Sequence, residues 1–492
     1  MFDNSAYMML HRAKVEWPCL SVDVLLRDRI GPAATPRESW FPSYVNTLDP
    51  KQAVKDRRGL LTHKKDKYPY TVYFCAGSQT LKKSDNKIYV LKWSDMCKTL
   101  RDDEDLESGE EDEEEEAKHP VMRFESLPHR GCVNRIRTLH GTGLVATWND
   151  ENDVGVYDVT SAVEALDEPV VPGKPKSFGG SKVASFKHTD EGYALDWSPL
   201  TWGRLAAGSC NSQIWLYRLA DDTQFIKEGS LQSHKKSVED VQFSPSQEHV
   251  LASCSVDQTV KLWDLRATQM KAQISFRAHD CDVNVLSWNA TSKFLLASGD
   301  DKGEFRIWDL RMLDHKSLNQ SSYDSITRIR WHTQAITSLQ FEPGEDSVLA
   351  VASADNKLTI WDFSVEVDDA APQEDDIPPQ LMFLHQGQNN IKELRFHPLY
   401  RELILTTAED SYNIFRPNLE PPEDEDEEPQ SVDNQTTEEE TKERQENPER
   451  TRGAQYYAES DDEEEEERRI IKAAKKLNRG QNKKEAKRRK SQ

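Results

Sequence analysis

Three heptapeptides decide the fold of this chain: VKLWDLR at 260–266, FRIWDLR at 305–311 and LTIWDFS at 358–364. In each, an apolar stretch leads into a tryptophan that is followed by an aspartate. A histidine lies 29 positions before each tryptophan, and a fourth histidine precedes a tyrosine by the same interval. The pairs are His188 with Tyr217, His234 with Trp263, His279 with Trp308 and His332 with Trp361. The constant interval indicates a repeated structural unit.

The same elements recur between histidine and aromatic residue. An alternating stretch such as VEDVQFSP is followed by a turn, a small-residue stretch such as VLASCSVD, and a second turn before the aromatic stretch. Alternation with a period of two and turns about every 8 to 12 residues are typical of short antiparallel strands. The sequence therefore predicts an all-β protein built from repeated small sheets.

A repeat of about 40 to 45 residues that ends in Trp-Asp resembles the WD-repeat family, whose repeats form the blades of a β-propeller. The resemblance covers most of residues 20–416. It implies that four side chains of each blade form a buried hydrogen-bond network, so these histidines and aspartates are structural rather than catalytic. The expected sets are His234, Ser255, Asp257 and Trp263, and His332, Ser353, Asp355 and Trp361. In the fifth blade, Lys302 takes the place of the aspartate, and we expect that network to be incomplete.

Counting the aromatic strands gives seven blades over residues 68–416. The strands that mark them contain Leu91, Tyr157, Tyr217, Trp263, Trp308, Trp361 and Phe415. The segment PCLSVDVL at 18–25 also alternates. We expect it to be the outer strand that closes the ring onto the last blade, because a closed ring leaves no end blade exposed. The predicted propeller domain is 18–416.

The N-terminus and a late loop carry a second resemblance. Residues 4–14 have N-cap candidates and helically spaced apolar side chains, which predicts a short helix within a lead-in of residues 1–17. EWPCL at 16–20 and DDIPP at 375–379 resemble the histone-binding subfamily of WD-repeat proteins. This implies that the helix and a Pro-Pro loop, 366–380, clasp a basic helix. Within the subfamily, an acidic insertion between blades 1 and 2 and the charged C-terminus resemble the glutamate-rich branch of ribosome assembly.

Charge is concentrated in three segments. Residues 102–116 contain 12 acidic residues and no basic one, 420–467 contain 22 acidic and 4 basic, and 468–492 contain 12 basic and 1 acidic. The formal net charge is −23, and the rest of the chain is nearly neutral. Dense like charge cannot be packed into a core. We therefore expect an acidic loop at 101–117, a disordered acidic tail at 417–467 and a basic tail beyond it.

Composition and motifs exclude several classes of protein. No apolar run reaches the roughly 20 residues that span a bilayer, and the N-terminal sequence lacks a signal-peptide pattern. The seven cysteines form no CxxC pair, which favours reduced thiols over a disulfide or zinc framework. Phosphate-binding, metalloprotease and nucleophile-elbow motifs are not found. We predict a protein that is not an enzyme, needs no metal or cofactor and has no membrane partner.

The expected function is that of a ribosome-assembly chaperone. Dense carboxylates can act like the phosphates of nucleic acid, binding and shielding a basic large-subunit ribosomal protein until pre-ribosomal particles take it. The resemblance implies the third protein of the large-subunit series as the client, whereas composition indicates only a basic one. We expect a monomer, and acidic segments that only aid solubility remain an alternative. The residues predicted to bind the client are Tyr7, Leu10, Glu113, Glu114, Glu115, Glu116, Asp375, Asp376 and Ile377.

Two other functions remain open. The subfamily resemblance implies a histone chaperone that uses the same helix and loop. WDLR at 263–266 and 308–311 resembles the motif with which substrate receptors bind the adaptor of cullin-type ubiquitin ligases. That function would assign the adaptor contact to Arg266 and Arg311. The simpler alternative is that each arginine pairs with a neighbouring acid.

The charged tails also predict location and modification. Basic clusters in the last 25 residues suit an importin, which predicts a nuclear and nucleolar protein with some in the cytoplasm. The targeting residues expected are Lys487, Arg488, Arg489 and Lys490. Ser108 and Ser460 precede acidic residues and suit an acid-directed kinase. Each phosphate would add roughly 1.5 to 2 negative charges to a polyanion.

Overall fold

The computed structural model describes residues 6–14, 16–26, 68–99, 119–169, 180–220, 224–267, 271–313, 325–365 and 377–419. These residues form seven four-stranded antiparallel sheets, the blades of a β-propeller. The prediction of an all-β, seven-bladed fold is confirmed. The strands lie in the first of two units, Met1–Asn418, and the second unit is Leu419–Gln492. Among the described residues, no helix has the length and apolar character to cross a membrane.

The blades are numbered in chain order. β1 (Tyr7–Ala13) precedes them. Blade 1 consists of β2 (Cys19–Leu25), β3 (Tyr70–Ser78), β4 (Lys87–Met96) and β5 (Val121–Pro128). Blade 2 consists of β6 (Val133–Thr138), β7 (Leu144–Asn149), β8 (Asp153–Asp158) and β9 (Ser181–Lys187), with helix α1 (Thr160–Asp167) before its last strand. Blade 3 consists of β10 (Ala194–Trp197), β11 (Leu205–Gly208), β12 (Gln213–Ala220) and β13 (Gln224–Gln232).

The remaining blades follow the same order. Blade 4 consists of β14 (Val238–Phe243), β15 (Val250–Ser255), β16 (Thr259–Asp264) and β17 (Ile274–Arg277). Blade 5 consists of β18 (Val283–Trp288), β19 (Leu295–Asp300), β20 (Glu304–Asp309) and β21 (Thr327–Arg330). Blade 6 consists of β22 (Ile336–Phe341), β23 (Val348–Ser353), β24 (Leu358–Asp362) and β25 (Leu381–His385). Blade 7 consists of β26 (Glu393–Phe396), β27 (Ile404–Thr407), β28 (Tyr412–Pro417) and, as its fourth strand, β1.

The first strand of blades 1 to 7 lies innermost, because these strands contact one another around the ring and β26 meets β2. The first and third strands of a blade run in the same direction, so the connections that follow them lie on one face of the ring. We call this the exit face. The innermost strands end there at Leu25, Thr138, Trp197, Phe243, Trp288, Phe341 and Phe396.

The N-terminal helix prediction is wrong: Tyr7–Ala13 forms strand β1. It pairs antiparallel with β28, so that Leu10 lies opposite Phe415 and Ala13 lies opposite Tyr412. Without β1, the outer edge of β28 would expose a row of unpaired backbone groups. The hydrogen bonds that β1 forms with this edge stabilise the strand more than an isolated helix of the same short length would be stabilised.

The predicted closing strand also has a different place. Cys19–Leu25 is the innermost strand of blade 1, and the role of closing the ring belongs to β1. Sequence alternation does not distinguish an inner from an outer strand. The burial pattern does, because six of the seven residues of β2 are buried, as expected for a strand covered on both faces.

Both acidic insertions lie inside blades. The strands that flank residues 102–116 are β4 and β5, which pair with each other, so the predicted position between blades 1 and 2 is wrong. Residues 366–376 lie in the same way between β24 and β25 of blade 6. Each insertion connects a third strand to an outer strand. The third strands that lead into them, β4 and β24, therefore end on the exit face.

The polar network of blade 4 uses a different serine from the predicted one. His234 Nε2 lies 2.7 Å from Ser253 Oγ, and the indole N–H of Trp263 donates to the same oxygen at 2.8 Å. His234 Nδ1 lies 3.0 Å from Asp257. Ser255 instead accepts the Asp257 backbone amide at 3.0 Å. The serine two residues deeper in β15 is therefore the one within reach of the indole.

Blade 6 replaces the serine with a threonine on the aromatic strand. His332 Nε2 lies 3.0 Å from Thr359 Oγ1, which accepts the Trp361 indole N–H at 2.8 Å. His332 Nδ1 lies 3.1 Å from Asp355, as predicted. Ser353 supports the turn by accepting the Asp355 amide at 3.2 Å.

The network of blade 5 is complete, contrary to the prediction. His279 Nδ1 lies 3.1 Å from Asp300, and its Nε2 lies 2.7 Å from Ser298 Oγ. Trp308 donates to Ser298 at 2.9 Å. Asp300 precedes Lys302 by two positions, and its carboxylate accepts the Lys302 amide at 2.9 Å. An acid at the end of β19 thus substitutes for one in the turn.

The small-residue second strands allow neighbouring blades to approach closely. A Cβ at Gly77 would lie 2.3 Å from Val133, and one at Gly299 would lie 2.6 Å from Ile336. Both partners belong to the innermost strand of the next blade. Any side chain at these glycines would therefore push adjacent blades apart.

Candidate binding surfaces

A set of hydrogen bonds joins the innermost strands around the channel. In each, a side chain of one blade accepts the backbone amide of a residue in the next blade. The pairs are Asp23 with Thr138 (2.8 Å), Asp196 with Phe243 (2.7 Å), Gln242 with Trp288 (3.1 Å), Ser287 with Phe341 (3.1 Å) and Gln340 with Phe396 (2.8 Å). Aspartate, glutamine and serine perform the same structural task at equivalent positions.

A buried ion cluster closes the ring. Glu393 of β26 lies 3.0 Å from Arg135, 2.7 Å from Arg137 and 3.2 Å from Arg395. It also accepts the Val22 amide of blade 1 at 2.9 Å. Burial alone would raise the pKa of Glu393, but the three guanidinium groups hold it well below its usual range. The cluster therefore ties blade 7 to blades 1 and 2.

The channel opens on the exit face into a cavity of about 370 Å³. Its walls are aromatic side chains from the ends of the innermost strands and the connections that follow them, together with prolines. The aromatic residues are Trp197, Trp202, Phe243, Trp288, Phe341 and Phe396. The charged residues on its lining are Asp23, Arg137, Asp196, Asp240 and Arg395. We call this cavity the channel mouth.

A second cavity lies on the outer wall, where β1 of blade 7 meets blade 1. It measures about 510 Å³ and is lined by Leu10, His11, Arg12, Ala13, Trp93, Pro120 and Met122. The imidazole of His11 has its Nε2 3.2 Å from the Cys97 carbonyl oxygen, and burial lowers its pKa. We call this cavity the seam cleft. It is largely apolar, and Pro120 on its wall lies four residues after Glu116 in the sequence.

Comparison with known proteins agrees with this architecture. WD-domain (G-beta repeat) models match residues 226–264, 270–309 and 323–362, and a family model for histone-binding protein RBBP4 and its CAF1-complex counterpart matches residues 1–97. Ribosome assembly protein rrb1 of Schizosaccharomyces pombe is 34% identical, over 84% of this chain and 81% of its own length. Glutamate-rich WD repeat-containing protein 1 of Dictyostelium discoideum is 38% identical, over 84% of this chain and 81% of its own.

The chain belongs to the glutamate-rich WD-repeat family. Protein HEAT STRESS TOLERANT DWD 1 of Arabidopsis thaliana is also similar, at 36% identity over 84% of this chain and 87% of its own length. The resemblance drawn from the repeats and from EWPCL and DDIPP is therefore confirmed. The histone-binding model covers β1 to β4, which contribute most of the seam cleft.

Tyr7, a predicted client-binding residue, lies in the core. Its side chain is 3% exposed, and its hydroxyl lies 2.8 Å from His385 Nδ1. Its ring packs edge-on against Phe383 at 5.2 Å and Phe415 at 5.8 Å. Burial raises the pKa of Tyr7 to about 12. The structure thus gives Tyr7 the task of holding β1 against blades 6 and 7.

The other described client-binding candidates lie on different sides of β1. Leu10 lines the seam cleft. Ile377 is 55% exposed and stands just before β25 of blade 6, the strand that packs on Tyr7. Met382 and Leu384 alternate with the buried residues of β25 and are also exposed. The alternation in LMFLH is consistent with this exposure, because successive side chains of a strand point to opposite faces.

The two candidate adaptor contacts are paired within their own motifs. Arg266 Nε lies 3.0 Å from Asp264, and a guanidinium nitrogen of Arg311 lies 2.8 Å from Asp309. Both side chains remain about half exposed on the exit face. The arrangement matches the simpler alternative and leaves each guanidinium partly accessible.

Several predicted residues lie outside the described residues. They are Ser108, Glu113, Glu114, Glu115, Glu116, Asp375, Asp376, Ser460, Lys487, Arg488, Arg489 and Lys490.

One group of described residues has the composition of a metal site, namely His279, Asp300 and Glu304. His279 and Asp300 belong to the blade 5 network. The Glu304 carboxylate forms ion pairs with Arg306 at 2.5 Å and Arg328 at 2.9 Å. These partners already satisfy the three side chains, so the group serves the blade rather than a metal.

The channel mouth was also missed by sequence reasoning. Its walls come from a short pattern that recurs in WSP (197–199), FSP (243–245), FEP (341–343) and FHP (396–398). An aromatic residue followed by a proline two positions later could have indicated a shared apolar rim. Alternation alone identifies these segments only as the ends of strands.

Proposed function

We propose that this protein is a ribosome-assembly chaperone without enzymatic activity, which binds a basic protein of the large ribosomal subunit. Two relatives similar over 84% of this chain support the ribosomal assignment through their names, ribosome assembly protein rrb1 and glutamate-rich WD repeat-containing protein 1. The observation that carries the mechanism is the seam cleft, a largely apolar cavity whose wall includes Pro120, four residues after the end of the most acidic segment of the propeller domain in the sequence.

The seam cleft supplies contact area. Leu10, Ala13, Trp93 and Met122 offer a largely apolar lining, and the cavity of about 510 Å³ is large enough for two or three side chains of a partner. Such a lining suits the apolar face of an amphipathic segment. Apolar burial there would fix the orientation of the partner.

The acidic segment supplies attraction. Residues 102–116 are connected at one end to β4 and at the other, through Pro120, to β5. Exposed carboxylate pairs contribute little one by one, but 12 of them speed association and shield a lysine- and arginine-rich surface together. Ribosomal RNA presents the same charge in phosphate form, so it would displace this segment when the client is delivered.

Histone binding is a second candidate. The histone-binding family model matches residues 1–97, which include β1 and the part of the seam cleft formed by Leu10, Ala13 and Trp93. A histone helix is basic and amphipathic, so the same cleft and charges would suit it. The two candidates share a surface and differ in the partner.

Purification of the native complex at low salt, followed by identification of the stoichiometric partner, distinguishes the candidates. A large-subunit ribosomal protein is the expected result. Core histones would support the second candidate instead, and a ubiquitin-ligase adaptor retained through Arg266 and Arg311 would replace both. Recovery of the protein without any basic partner from low-salt extracts would contradict the chaperone proposal.

Nuclear and nucleolar location is part of the same proposal, because a client must meet pre-ribosomal RNA there. Replacing Lys487, Arg488, Arg489 and Lys490 with alanine removes four positive charges. A reporter fusion of this variant should lose nuclear accumulation, and unchanged accumulation would remove the targeting role. Mass spectrometry of cell-derived protein tests whether Ser108 and Ser460 are phosphorylated.

A further inference from the structure

The channel mouth contains a carboxylate that the fold does not require. Asp196 is the penultimate residue of the innermost strand of blade 3, and its carboxylate oxygen accepts the Phe243 amide at 2.7 Å. In blades 4 and 6, Gln242 and Gln340 accept the equivalent amide as neutral groups. A negative charge is therefore not needed to join blade 3 to blade 4.

Two other acids of this layer have cationic partners, whereas Asp240 accepts the Leu286 amide of the next blade at 3.0 Å and, among the described residues, forms no ion pair. Asp23 lies 3.6 Å from Arg395, and Glu393 lies within 3.2 Å of three arginines. Within the described part of the chain, no lysine or arginine forms an ion pair with Asp196. Burial raises the pKa of Asp196 to about 7, only partly opposed by the Phe243 amide and by Arg137. Arg137 and Arg395 line the same cavity and also lower this pKa, but neither forms a direct ion pair with Asp196.

The surroundings of Asp196 suit a cation with an apolar stem. The cavity of about 370 Å³ is walled by aromatic rings, including Trp202, Phe243 and Trp288. Aromatic faces attract cations, most strongly where water is excluded, and also pack on methylene groups. A lysine or arginine side chain combines the two features.

The position of the mouth favours a basic protein as the source of that cation. β4, which leads into the 12 acids at 102–116, ends on the same face of the ring as the mouth. A basic segment attracted by those acids would be concentrated at this face. Asp196 in the cavity and the acidic segment that follows β4 in the sequence both offer negative charge to such a segment.

We propose that the channel mouth binds one lysine or arginine side chain from an extended basic segment of the client, with Asp196 as its counter-ion and the aromatic walls around its stem. The inference rests on the proposed function for its choice of partner. It adds a second contact, on the exit face, to the seam cleft on the outer wall.

The test uses the full chain and three acetylated, amidated heptapeptides. They consist of glycine and serine around a central lysine, arginine or norleucine, and norleucine keeps the lysine stem without the charge. Binding is followed through the ¹⁵N-labelled indole signals of the tryptophans at 150 mM salt. The variants are Asp196→Asn, which keeps an oxygen to accept the Phe243 amide, and the control Asp346→Asn, an exposed acid on the exit face outside the cavity.

The lysine or arginine peptide should shift the signals of Trp202 and Trp288 and bind about tenfold more tightly than the norleucine peptide. Asp196→Asn should remove that advantage, whereas Asp346→Asn should change affinity less than twofold. A preference for lysine over arginine, or the reverse, identifies which cation the mouth takes. Equal losses in both variants, or equal binding of all three peptides, would overturn the proposal.

The outcome is separable from that of the proposed function. A thermal melt establishes that Asp196→Asn remains folded. If the native complex contains no basic client but the lysine peptide binds through Asp196, the binding site at the channel mouth is supported and the ribosomal role is contradicted. If the client is captured but the parent and Asp196→Asn bind the peptides equally, the ribosomal role is supported and the binding site at the channel mouth is contradicted.

Discussion

Blades 4 and 7 reach the same four-stranded sheet by different routes. Blade 4 is continuous from Val238 to Arg277, and its polar network centres on Ser253. Blade 7 takes three strands from the end of the propeller and one from the N-terminus. Its Tyr7 and Phe415 pack on His385, the last residue of β25 in blade 6, which lies 2.8 Å from the Tyr7 hydroxyl and stacks on Phe415 at 4.3 Å. A blade made of one segment is stabilised within itself, whereas blade 7 holds the whole ring closed.

The blades also differ at their joints. At the joint into blade 4, the Phe243 amide donates to an acid without an ion pair, Asp196, and the Val238 amide donates to the Ser209 carbonyl oxygen at 3.2 Å. The joint out of blade 7 is Glu393, held by three arginines and bonded to the Val22 amide. Charge is thus compensated at the closing joint and uncompensated at an ordinary one. We infer that the charge of Glu393 is used in the structure and that the charge of Asp196 is used in binding.

Removing Glu393 from the joint that closes the ring should lower the free energy of unfolding more than any other change considered below. Glu393→Ala leaves three buried or nearly buried arginines without their shared partner, and loss of one member of a buried ion cluster costs about 3 to 5 kcal/mol. The matched control is Glu409→Ala, which removes an exposed glutamate paired with Lys392 at 3.2 Å and should cost under about 1 kcal/mol. Denaturant unfolding measures both. Similar small losses would mean that Glu393 does not hold the ring.

Replacing Asp196 with a neutral residue should increase the free energy of unfolding rather than lower it. Because burial raises the pKa of Asp196 from 3.8 to about 7, the folded state holds a proton that the unfolded state releases between these values. Stability therefore falls as pH rises through this window. Asp196→Asn should gain about 2 to 4 kcal/mol over the parent above pH 7 and nothing near pH 4.

The groups around Asp196 set this profile. Asp240 acts with burial to raise the pKa, while the Phe243 amide, Arg137 and Arg395 lower it. Thermal melts of parent and variant from pH 4 to 8 give the difference directly. A difference that does not change with pH would show that Asp196 is ionised throughout.

Removing the centre of blade 4 should have an intermediate effect. Ser253→Ala takes away the oxygen that lies 2.7 Å from His234 Nε2 and accepts the Trp263 indole N–H at 2.8 Å. Two buried polar groups lose a partner, at about 1 to 3 kcal/mol. Denaturant unfolding should show this loss. Ser246→Ala, in the turn of the same blade, serves as the control with little expected change.

The smallest loss of stability is expected where β1 packs against blade 6. Tyr7→Phe keeps the ring that packs on Phe383 and loses only the hydroxyl near His385, for about 1 kcal/mol. Hydrogen exchange of the β1 amides should rise with little change in blade 4. Equal acceleration in both blades would mean that the seam does not open separately from the rest of the ring.

Local repetition explains how much the sequence could predict. The His–aromatic interval and the alternating strands predict blades 3 to 6, and His188 does lie 2.6 Å from the Tyr217 hydroxyl. The interval also predicts which histidines are structural. It does not specify which hydroxyl completes a network, because Ser253 and Ser255 both point to the same side of a strand.

Pairing between distant segments explains what was missed. β1 pairs with β28 some 400 positions away, and no short-range pattern in YMMLHRA indicates that partner. The channel mouth has the same origin, because its walls converge only when seven strand ends meet on one face. The seam cleft likewise joins residues of β1 with Trp93 and Met122 of blade 1. Binding surfaces in a propeller lie where blades meet, and a repeat describes only a blade.

The central claim is that the acidic segment 102–116 captures a basic client. It is tested most directly by the affinity of the full chain for a purified basic large-subunit ribosomal protein at several salt concentrations. The comparison is with a chain in which the 12 acids of residues 102–116 are replaced by serine and glycine. The variant should melt no lower than the parent, bind more weakly at low salt and show a flatter dependence of affinity on salt. Equal affinity and an equal salt slope would contradict the account.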